Sequence, residues 1–382
     1  MEANRIVKFI REIYRTKDPI SLHEPMFNGN DKNYVMQAIE STYVSSVGIF
    51  VNRFEKELEA LTGSPHAIAT VNGTSALHAA LYASGISKDD LVITQSLTFV
   101  ATCNVIHHLG AEPIFVDVSP ISLGMCPIAL ESYLRENAEI TETGCMQKST
   151  GKNIKAIVPM HTFGHPVQLD ELAGVAKKWG IPLVEDAAES LGSLYKGTHT
   201  GTIGQYGALS FNGNKTITTG GGGAILCSTE KEGKRIKHLT STAKVPHPYE
   251  FIHDEPGFNF RMPNLNAALG CAQLEALDKY LINKRYIAEQ YKDFFSDSDI
   301  SFFHEPDYAK SNYWLNAIIC NSPKQRDEIL KKTNDSNVMS RPVWRLMHKL
   351  PMFSEALRGD LSYSEKIEKL LVNLPSSPFC FD

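Results

Sequence analysis

Short apolar runs alternate with helix-length stretches between about residues 55 and 230, and this alternation is the strongest constraint on the fold. Apolar runs of this length, bounded by turn residues, are typical of buried strands. Strands separated by helices predict a mostly parallel sheet with helices on both faces, because parallel crossovers need long connections. In such sheets ligands bind beyond the carboxyl ends of the strands. The predicted strands are AIATV (67–71), LVITQ (91–95), PIFVDV (113–118), AIVPM (156–160) and IPLVED (181–186).

The pattern changes after Leu265, where longer helical stretches replace the alternation. Two long helices are predicted for residues 265–280 and 282–295, and shorter apolar runs such as 314–320 follow them. This change indicates a second, smaller α+β domain. The polar segment 144–155 is predicted to be a surface excursion without strands. The predicted division is an N-terminal segment that packs with the small domain (1–30), a large domain (31–255) and a small C-terminal domain (256–382).

The composition is that of an ordinary globular protein and argues against several kinds of partner. The 382 residues are 42% hydrophobic and 21% charged, and the net charge of −5 gives no reason to expect nucleic acid or an anionic membrane. No apolar run approaches the roughly 18 residues that span a bilayer. The seven cysteines are scattered and form no CxxC pair, which favours free thiols and gives no support to a metal site.

The N-terminus predicts an amphipathic helix rather than a signal peptide. Apolar residues recur at Ile6, Phe9, Ile10 and Ile13, with charges of both signs between them. A signal peptide needs an uninterrupted apolar core, which this segment lacks. The expected location is therefore the cytoplasm.

The first candidate site is Asn72-Gly73-Thr74-Ser75, which follows a predicted strand and opens a predicted helix. A strand, a glycine turn and a helix N-terminus together present free backbone N–H groups and the positive end of the helix dipole. Phosphate binding and an ordinary structural helix cap both fit this segment when it is considered alone.

Two further candidates are Asp186, just after a predicted buried strand, and Lys215, which precedes four glycines at 220–223. Most lysines are solvated surface charges, but a lysine held in a cleft has its charged form disfavoured and becomes nucleophilic. An isolated Asp186 could equally be a helix cap or a paired surface acid. The glycine-rich stretch lacks the Walker pattern, so a nucleotide hydrolase is disfavoured.

Taken together, these segments resemble the DegT-type sugar aminotransferase family of fold-type I enzymes that use pyridoxal 5′-phosphate (PLP). The resemblance covers most of the chain, from about Gly29 to Phe353, with its motifs in the family's order. The implied fold is a large domain with a mostly parallel seven-stranded sheet between helices, plus a smaller α+β C-terminal domain. The matching motifs are NGT (72–74), TFVAT (98–102), HTFGHP (161–166), EDAAE (185–189), SFNGNK (210–215) and GFNFRMPN (257–264).

The resemblance implies that Lys215 carries PLP as a Schiff base and, once freed, moves a proton between substrate and cofactor. Asp186 corresponds to the acid that keeps the pyridine nitrogen protonated, which makes the ring a better electron sink. No metal is implied.

The other cofactor contacts are also implied by the resemblance alone. Gly73 and Thr74 match the phosphate-binding turn, and Ser210 matches a second phosphate contact. Phe99 matches the aromatic residue that stacks on the cofactor, although a core position is the alternative. Glu189 matches a Gln or Glu close to the cofactor ring.

Asn259 matches a residue that reaches the cofactor phosphate from the neighbouring subunit, which implies a homodimer with shared active sites. A turn-capping role is the alternative for a loop asparagine. Weaker matches suggest that His161, Arg341 and Trp344 contact the substrate. An arginine fork suits diphosphate oxygens, and an ordinary surface arginine is the alternative for Arg341.

The implied reaction moves an amino group from an amino acid, L-glutamate, to a nucleotide-linked 4-keto-6-deoxy sugar. The segment TSTAKVPHPYE (240–250) is most similar to the branch that acts on UDP-linked 2-acetamido 4-keto-6-deoxy hexoses, which feed surface glycans. A GDP-perosamine-type route is the near alternative, followed by dTDP sugars.

Two alternatives of other classes remain. Some relatives dehydrate sugars on the same scaffold, but they replace the lysine with histidine, whereas Lys215 is present here. A non-catalytic sensor that binds nucleotide sugars is the other alternative, and the retained pair of Lys215 and Asp186 argues against it.

Overall fold

The structure is a computed structural model that describes residues 2–379. The helices are α1 (Glu2–Tyr14), α2 (Asp31–Glu40), α3 (Ile49–Thr62), α4 (Gly73–Ala83), α5 (Val100–His108), α6 (Pro127–Asn137), α7 (Leu169–Trp179), α8 (Glu230–Thr240), α9 (Asn264–Phe295), α10 (Pro323–Asp335) and α11 (Ser362–Glu368). The strands are β1 (His66–Thr70), β2 (Leu91–Gln95), β3 (Glu112–Val116), β4 (Ala138–Thr141), β5 (Gly144–Gln147), β6 (Ile154–Val158), β7 (Val184–Asp186), β8 (Leu194–Tyr195), β9 (Thr198–His199), β10 (Tyr206–Ser210), β11 (Gly223–Cys227), β12 (Lys244–Val245), β13 (Ile252–His253), β14 (Ser301–Phe303), β15 (Ala309–Lys310), β16 (Asn316–Ile319), β17 (Arg341–Pro342) and β18 (Leu371–Leu374).

The central sheet has the strand order β3-β2-β6-β7-β10-β11-β1. Parallel bridges from Ile157 to Leu183 and from Met160 to Asp186 join its two hydrogen-bonded groups of strands. Within these seven strands, β11 runs antiparallel to both neighbours and the other pairs are parallel. The predicted α/β class, with a mostly parallel seven-stranded sheet, is confirmed.

Helices cover both faces of this sheet because its strands are apolar on both sides. In β2, Leu91 and Ile93 pack with residues of α6 and α7, whereas Val92 joins the opposite cluster with residues of α4 and α5. Successive side chains on a strand point to opposite faces, so an uninterrupted apolar run has to be buried from both sides. Because helices bury both faces, the polar residues that follow the strands lie at the edge formed by the carboxyl ends of the strands.

A second sheet, β14-β16-β18-β17, lies in the C-terminal part of the chain. Helix α1 packs against it, because Ile6 and Ile10 share a buried cluster with Ile318 and Val372. The predicted amphipathic helix at the N-terminus is therefore confirmed, while the domain boundaries after residues 30 and 255 stay a prediction. Among residues 2–379, no helix is both long and apolar enough to cross a membrane.

Two expectations about local structure are wrong. The segment 144–155 contains β5 and the start of β6. In β5 the two buried positions are Cys145 and the polar Gln147, so the strand shows no apolar alternation. The two helices expected after Leu265 are one helix of 32 residues, α9. Neither glycine nor proline lies near residue 281, so the backbone continues through the expected break.

Candidate functional site

The segments that follow three parallel strands meet at one edge of the central sheet. Strand β1 ends at Thr70 and leads into α4, β7 ends at Asp186, and β10 ends at Ser210. The carboxyl ends of strands that run in the same direction lie at the same edge. The three predicted motifs are therefore brought together by the topology of the sheet.

The N-terminus of α4 forms one wall of this site. Asn72 caps the helix, because its side chain accepts a hydrogen bond from Ser75 N at 2.7 Å. The N–H groups of Gly73 and Thr74 lie in the first helical turn, where the helix provides no acceptors. A Cβ at position 73 would lie 2.7 Å from Ser210 Cβ, so only glycine allows this close approach. The result is a cradle suited to an anion.

Asp186 is a buried carboxylate with a fixed orientation, exposed by only 6%. Thr102 Oγ1, in α5, donates a hydrogen bond to Asp186 Oδ2 at 2.7 Å, and Ala188 N donates to Oδ1 at 3.2 Å. A carboxylate held in this way can keep a proton on a basic nitrogen placed against it.

Lys215 lies beside a second carboxylate. Its Nζ is 3.3 Å from Glu189 Oε1, and the other oxygen, Oε2, accepts a hydrogen bond from Phe163 N at 3.0 Å. Nζ also lies 3.9 Å from the centroid of the Trp314 ring. The side chain of Lys215 keeps 13% exposure, so the amine remains within reach of a ligand in the cleft.

Glu189 is the acid in this site whose protonation is most changed by the fold. Burial raises its pKa to about 7, although the positive charge of Lys215 and the bond from Phe163 oppose the increase. The negative charge of Asp186 acts in the same direction as burial. Near neutral pH, Glu189 can therefore be present in both protonation states beside the amine.

Phe99 and Trp344 contact each other beside Phe163, whose backbone N donates to Glu189. Phe99 is 48% exposed at the start of α5, and its ring centroid lies 6.1 Å from that of Trp344. Such exposure is unusual for phenylalanine and argues against a core role. Arg341 is exposed and donates hydrogen bonds to Asn334 Oδ1 and Ser340 O, both at 3.0 Å.

His161 is buried and both of its ring nitrogens are engaged within the protein, so its contact with substrate stays a prediction. The side chain is fully buried, its Nε2 lies 2.9 Å from Glu185 Oε2, and its Nδ1 accepts a hydrogen bond from Val167 N. Burial by itself favours a raised pKa for Glu185, but the bonds from His161, Gly204 and Gly201 hold it below its usual value. His161 and Glu185 are thus a structural pair, which explains their place in the motifs.

Asn259 is exposed, and its backbone forms an antiparallel bridge with Ser241. This loop lies beside the short hairpin of β12 and β13, whose tip carries Tyr249 and Phe251 at 81% and 83% exposure. Exposed aromatic side chains next to an exposed polar loop are typical of surfaces that contact another chain.

Several residues at the site have no distinctive sequence pattern. Thr102 belongs to a predicted motif but has no assigned role there, and Trp314 is only part of an apolar run. The ring nitrogens of His23 are buried without hydrogen-bond partners within residues 2–379. Burial lowers the pKa of His23 well below its usual value, and the charges of Lys284 and Lys215 act in the same direction. His23 therefore lies in the same electrostatic environment as Lys215.

Comparisons with known proteins agree with this geometry. Residues 25–380 match the DegT/DnrJ/EryC1/StrS aminotransferase family. EpsN of Bacillus subtilis (strain 168), provisionally named a pyridoxal phosphate-dependent aminotransferase, is 36% identical over 88% of this chain and 84% of its own length. GDP-perosamine synthase of Escherichia coli O157:H7 is 35% identical over 94% of this chain and 93% of its own. A crystal structure of a DegT/DnrJ/EryC1/StrS aminotransferase from Brucella abortus superimposes with a TM-score of 0.83 at 25% identity, covering 92% of this chain and 91% of the other.

Proposed function

Because the chain belongs to the DegT/DnrJ/EryC1/StrS aminotransferase family, we propose that it aminates the keto carbon of a nucleotide-linked 4-keto-6-deoxy sugar. The protein is a PLP-dependent aminotransferase with the type I fold. The observation that carries the proposal is the position of Lys215 Nζ, 3.3 Å from Glu189 at the sheet edge that also holds Asp186 and the α4 N-terminus. L-Glutamate is the proposed amino donor.

The residues at this edge fit PLP in charge and shape. The cradle between Gly73 and Ser210 would be filled by a Cβ, and the open N–H groups of Gly73 and Thr74 suit a phosphate. We assign the phosphate to Gly73, Thr74 and Ser210. The oriented carboxylate of Asp186 suits a protonated pyridine nitrogen, and the exposed ring of Phe99 suits stacking on an aromatic cofactor.

Each of these side chains has a defined task in amino transfer. Bound PLP supplies an electron sink for the electron pair left when the substrate carbon loses its proton. Asp186 would hold a proton on the pyridine nitrogen of bound PLP, and the bond from Thr102 fixes the orientation of the carboxylate. Lys215 Nζ would take the proton from the substrate carbon and deliver it to the cofactor carbon that is bonded to the transferred nitrogen. Glu189, adjacent to Nζ, accepts or releases a proton near neutral pH.

The proposed acceptor is a UDP-linked 2-acetamido 4-keto-6-deoxy hexose, used for surface glycan biosynthesis. The support is the resemblance of residues 240–250, which lead from the end of α8 into the β12–β13 hairpin. The aromatic tip of this hairpin is free to contact a ligand or a second chain.

GDP-4-keto-6-deoxymannose, the precursor type used for GDP-perosamine, is the second candidate acceptor. The observation in its favour is the 35% identity to GDP-perosamine synthase of Escherichia coli O157:H7 over nearly the whole of both chains. Both candidates present a ketone at carbon 4, so the chemistry assigned to Lys215 is the same for either.

The proposed assembly is a homodimer whose active sites are shared, with Asn259 supplied by the partner subunit. Asn259 is exposed, as expected of a residue that acts outside its own chain. Exposed apolar residues around α2 and α3 provide a surface for the second copy. These residues are Met36, Ile39, Tyr43, Val47 and Ile49.

The test is a substrate comparison with the purified, PLP-loaded protein and L-glutamate. The UDP-linked 2-acetamido 4-keto sugar and GDP-4-keto-6-deoxymannose are each supplied, and the amino-sugar product is identified by mass spectrometry. We expect kcat/KM to be higher with the UDP sugar by about tenfold or more, the change that about 1.4 kcal/mol of selective binding gives. A preference for the GDP sugar would support the second candidate. Binding of either sugar without amination would favour the non-catalytic sensor.

A further inference from the structure

Trp314 covers the amine of Lys215 from the C-terminal part of the chain. The indole ring is only 4% exposed, and Lys215 Nζ lies 3.9 Å from its centroid. An amine over the face of a tryptophan is attracted to the ring, and the attraction is stronger where water is excluded. Trp314 and Glu189 therefore hold the reactive nitrogen between them.

Trp314 is held by three hydrogen bonds, one from its ring and two at its backbone. Its Nε1 donates to Asn214 O at 2.6 Å, its backbone N donates to Asn312 Oδ1 at 2.8 Å, and its carbonyl accepts from Lys284 Nζ at 3.2 Å. Lys284 is fully buried, and burial lowers its pKa well below the usual value. Lys284 Nζ also donates to Ser376 O at 2.6 Å, so it joins the Trp314 backbone to the segment that follows β18.

Asn312 forms hydrogen bonds on the C-terminal side of Lys215, to residues next to the lysine rather than to the lysine itself. Its Nδ2 donates to Thr216 Oγ1 at 3.1 Å and to Glu189 O at 2.9 Å. Trp314 bonds the residue before Lys215, and Asn312 bonds the residue after it. One short segment thus contacts both chain neighbours of the lysine and the backbone of the acid beside it.

Tyr313, between these two residues, has a backbone conformation that is costly for its type. Its φ is +48°, in the left-handed region, which is unfavourable for a non-glycine residue. Gly164 faces this segment, and a Cβ there would overlap Asn312 Oδ1. Strained backbone that is kept in place by many bonds is concentrated at functional sites. The strained backbone therefore indicates a functional role for this segment between β15 and β16.

We propose that Asn312 and Trp314 form a clip that positions Lys215 Nζ for covalent attachment of the cofactor. Trp314 is a positioning residue, since it acts through the lysine. The inference rests on the proposed function, because it assigns to Lys215 the amine that bonds PLP. In that attachment Nζ forms a bond to the aldehyde carbon and the aldehyde oxygen leaves as water.

The test compares attachment of PLP with binding of pyridoxamine 5′-phosphate, which needs no bond to Lys215. Cofactor-free protein is mixed with PLP, and attachment is followed by visible absorbance in a stopped-flow instrument. The dissociation constant of pyridoxamine 5′-phosphate is measured separately by calorimetry. The variants are Trp314→Leu and Trp314→Phe, and the matched control is Trp179→Leu, which removes another buried tryptophan, in α7.

We expect Trp314→Leu to slow attachment by about tenfold, because the neutral amine of Lys215 loses the ring face that holds it in position for attack. Trp314→Phe keeps a ring face but loses the bond to Asn214, so a smaller slowing of about threefold is expected. Both variants should bind pyridoxamine 5′-phosphate as the wild type does, and Trp179→Leu should change neither quantity.

Attachment at the wild-type rate in Trp314→Leu overturns the inference alone. A parallel loss of pyridoxamine 5′-phosphate affinity in both Trp314 variants also overturns it, because the residue would then support the whole site rather than the amine. If the wild-type protein itself never attaches PLP, the proposed function fails together with the inference.

Discussion

Asp186 depends on a neutral hydroxyl for its orientation. Thr102 is fully buried, and its Oγ1 is both a donor to Asp186 Oδ2 at 2.7 Å and a neighbour of Thr98 Oγ1 at 3.2 Å. A carboxylate that must face one ring nitrogen has to be held against rotation. Thr102 lies in α5 and Asp186 at the end of β7, so the bond also links a helix to the sheet edge.

Thr102→Val keeps the shape of the side chain but removes this bond. Hydrogen bonds to charged groups contribute about 1.5–3 kcal/mol, so kcat should fall by about tenfold or more. Thr102→Ser retains the hydroxyl and should stay within about twofold of the wild type. Steady-state kinetics of the three proteins, with circular dichroism to compare folding, provides the measurement. Equal kcat values for all three would show that Asp186 is oriented without Thr102.

Glu189 gives the site a pH dependence of defined sign. Burial raises its pKa from an ordinary 4.5 to about 7. A group whose pKa is raised on folding stabilises the fold fully below its ordinary pKa, and this stabilisation is lost as pH rises through the higher value. The relevant interval is therefore between about pH 4.5 and pH 7.

Glu189→Gln imitates the protonated acid at every pH and should remove this dependence. In cofactor-free protein, the free energy of unfolding of the wild type should fall relative to Glu189→Gln by about 2 kcal/mol between pH 5 and 8, since one pKa unit is about 1.4 kcal/mol. Urea denaturation at several pH values measures the difference. A constant difference across this range would contradict the assignment.

At the scale of secondary-structure elements, the N-terminus of α4 forms one wall of the cradle to which we assign the cofactor phosphate. The cradle requires the close approach of Gly73 to Ser210 at the end of β10. The helix dipole and the first-turn N–H groups act together only if the helix start stays at this distance from the strand.

Gly73→Ala should weaken cofactor binding because its Cβ would lie 2.7 Å from Ser210 Cβ. We expect the dissociation constant for pyridoxamine 5′-phosphate to rise by about tenfold or more, as a displaced anion contact loses about 1.4 kcal/mol. The control is Gly174→Ala in α7, where a Cβ meets nothing within 4 Å. That change should leave binding intact and stabilise the helix by about 1 kcal/mol. Unchanged affinity for pyridoxamine 5′-phosphate in Gly73→Ala would show that the close approach of Gly73 and Ser210 does not hold the phosphate.

Elements near the site could be predicted from sequence to different extents. The strand that ends at Asp186 and the helix that begins at Gly73 have local patterns, so the rule about strand ends located both residues. Strand β5 was missed because one of its two buried positions is the polar Gln147, so its sequence shows no apolar alternation. Helix α9 was divided in two at Leu281, although no residue there breaks a helix.

At the scale of the whole molecule, the sequence does not reveal which distant segments contact each other. Trp314 bonds the carbonyl of Asn214, 100 positions earlier in the chain, and although Asn214 lies in a matching motif, no local pattern marks Trp314 as its partner. His161 shows the converse, because its motif predicts importance but only the fold shows that both ring nitrogens are used internally. The family resemblance drawn from six ordered motifs is confirmed, and the individual site roles stay predictions.

Shared active sites predict complementation between two defective variants. Lys215→Ala removes the amine, and Asn259→Ala removes the contact proposed to come from the partner subunit. A mixed dimer contains one site in which both residues are intact, so random reassociation should restore about one quarter of wild-type activity. Mixing after mild dissociation, with light scattering to verify twice the chain mass of 42.4 kDa, tests this. No gain over the separate variants would place Asn259 outside the neighbouring site.

The most direct test of the central claim is the visible absorption spectrum of the PLP-loaded protein, recorded before and after addition of L-glutamate. We predict a visible band that glutamate abolishes and that a nucleotide-linked 4-keto sugar restores, because the amino group is carried from donor to acceptor on the cofactor. Lys215→Ala should bind PLP without completing this cycle. A wild-type protein that stays colourless with PLP, or a Lys215→Ala variant that cycles as fast as the wild type, would contradict the account.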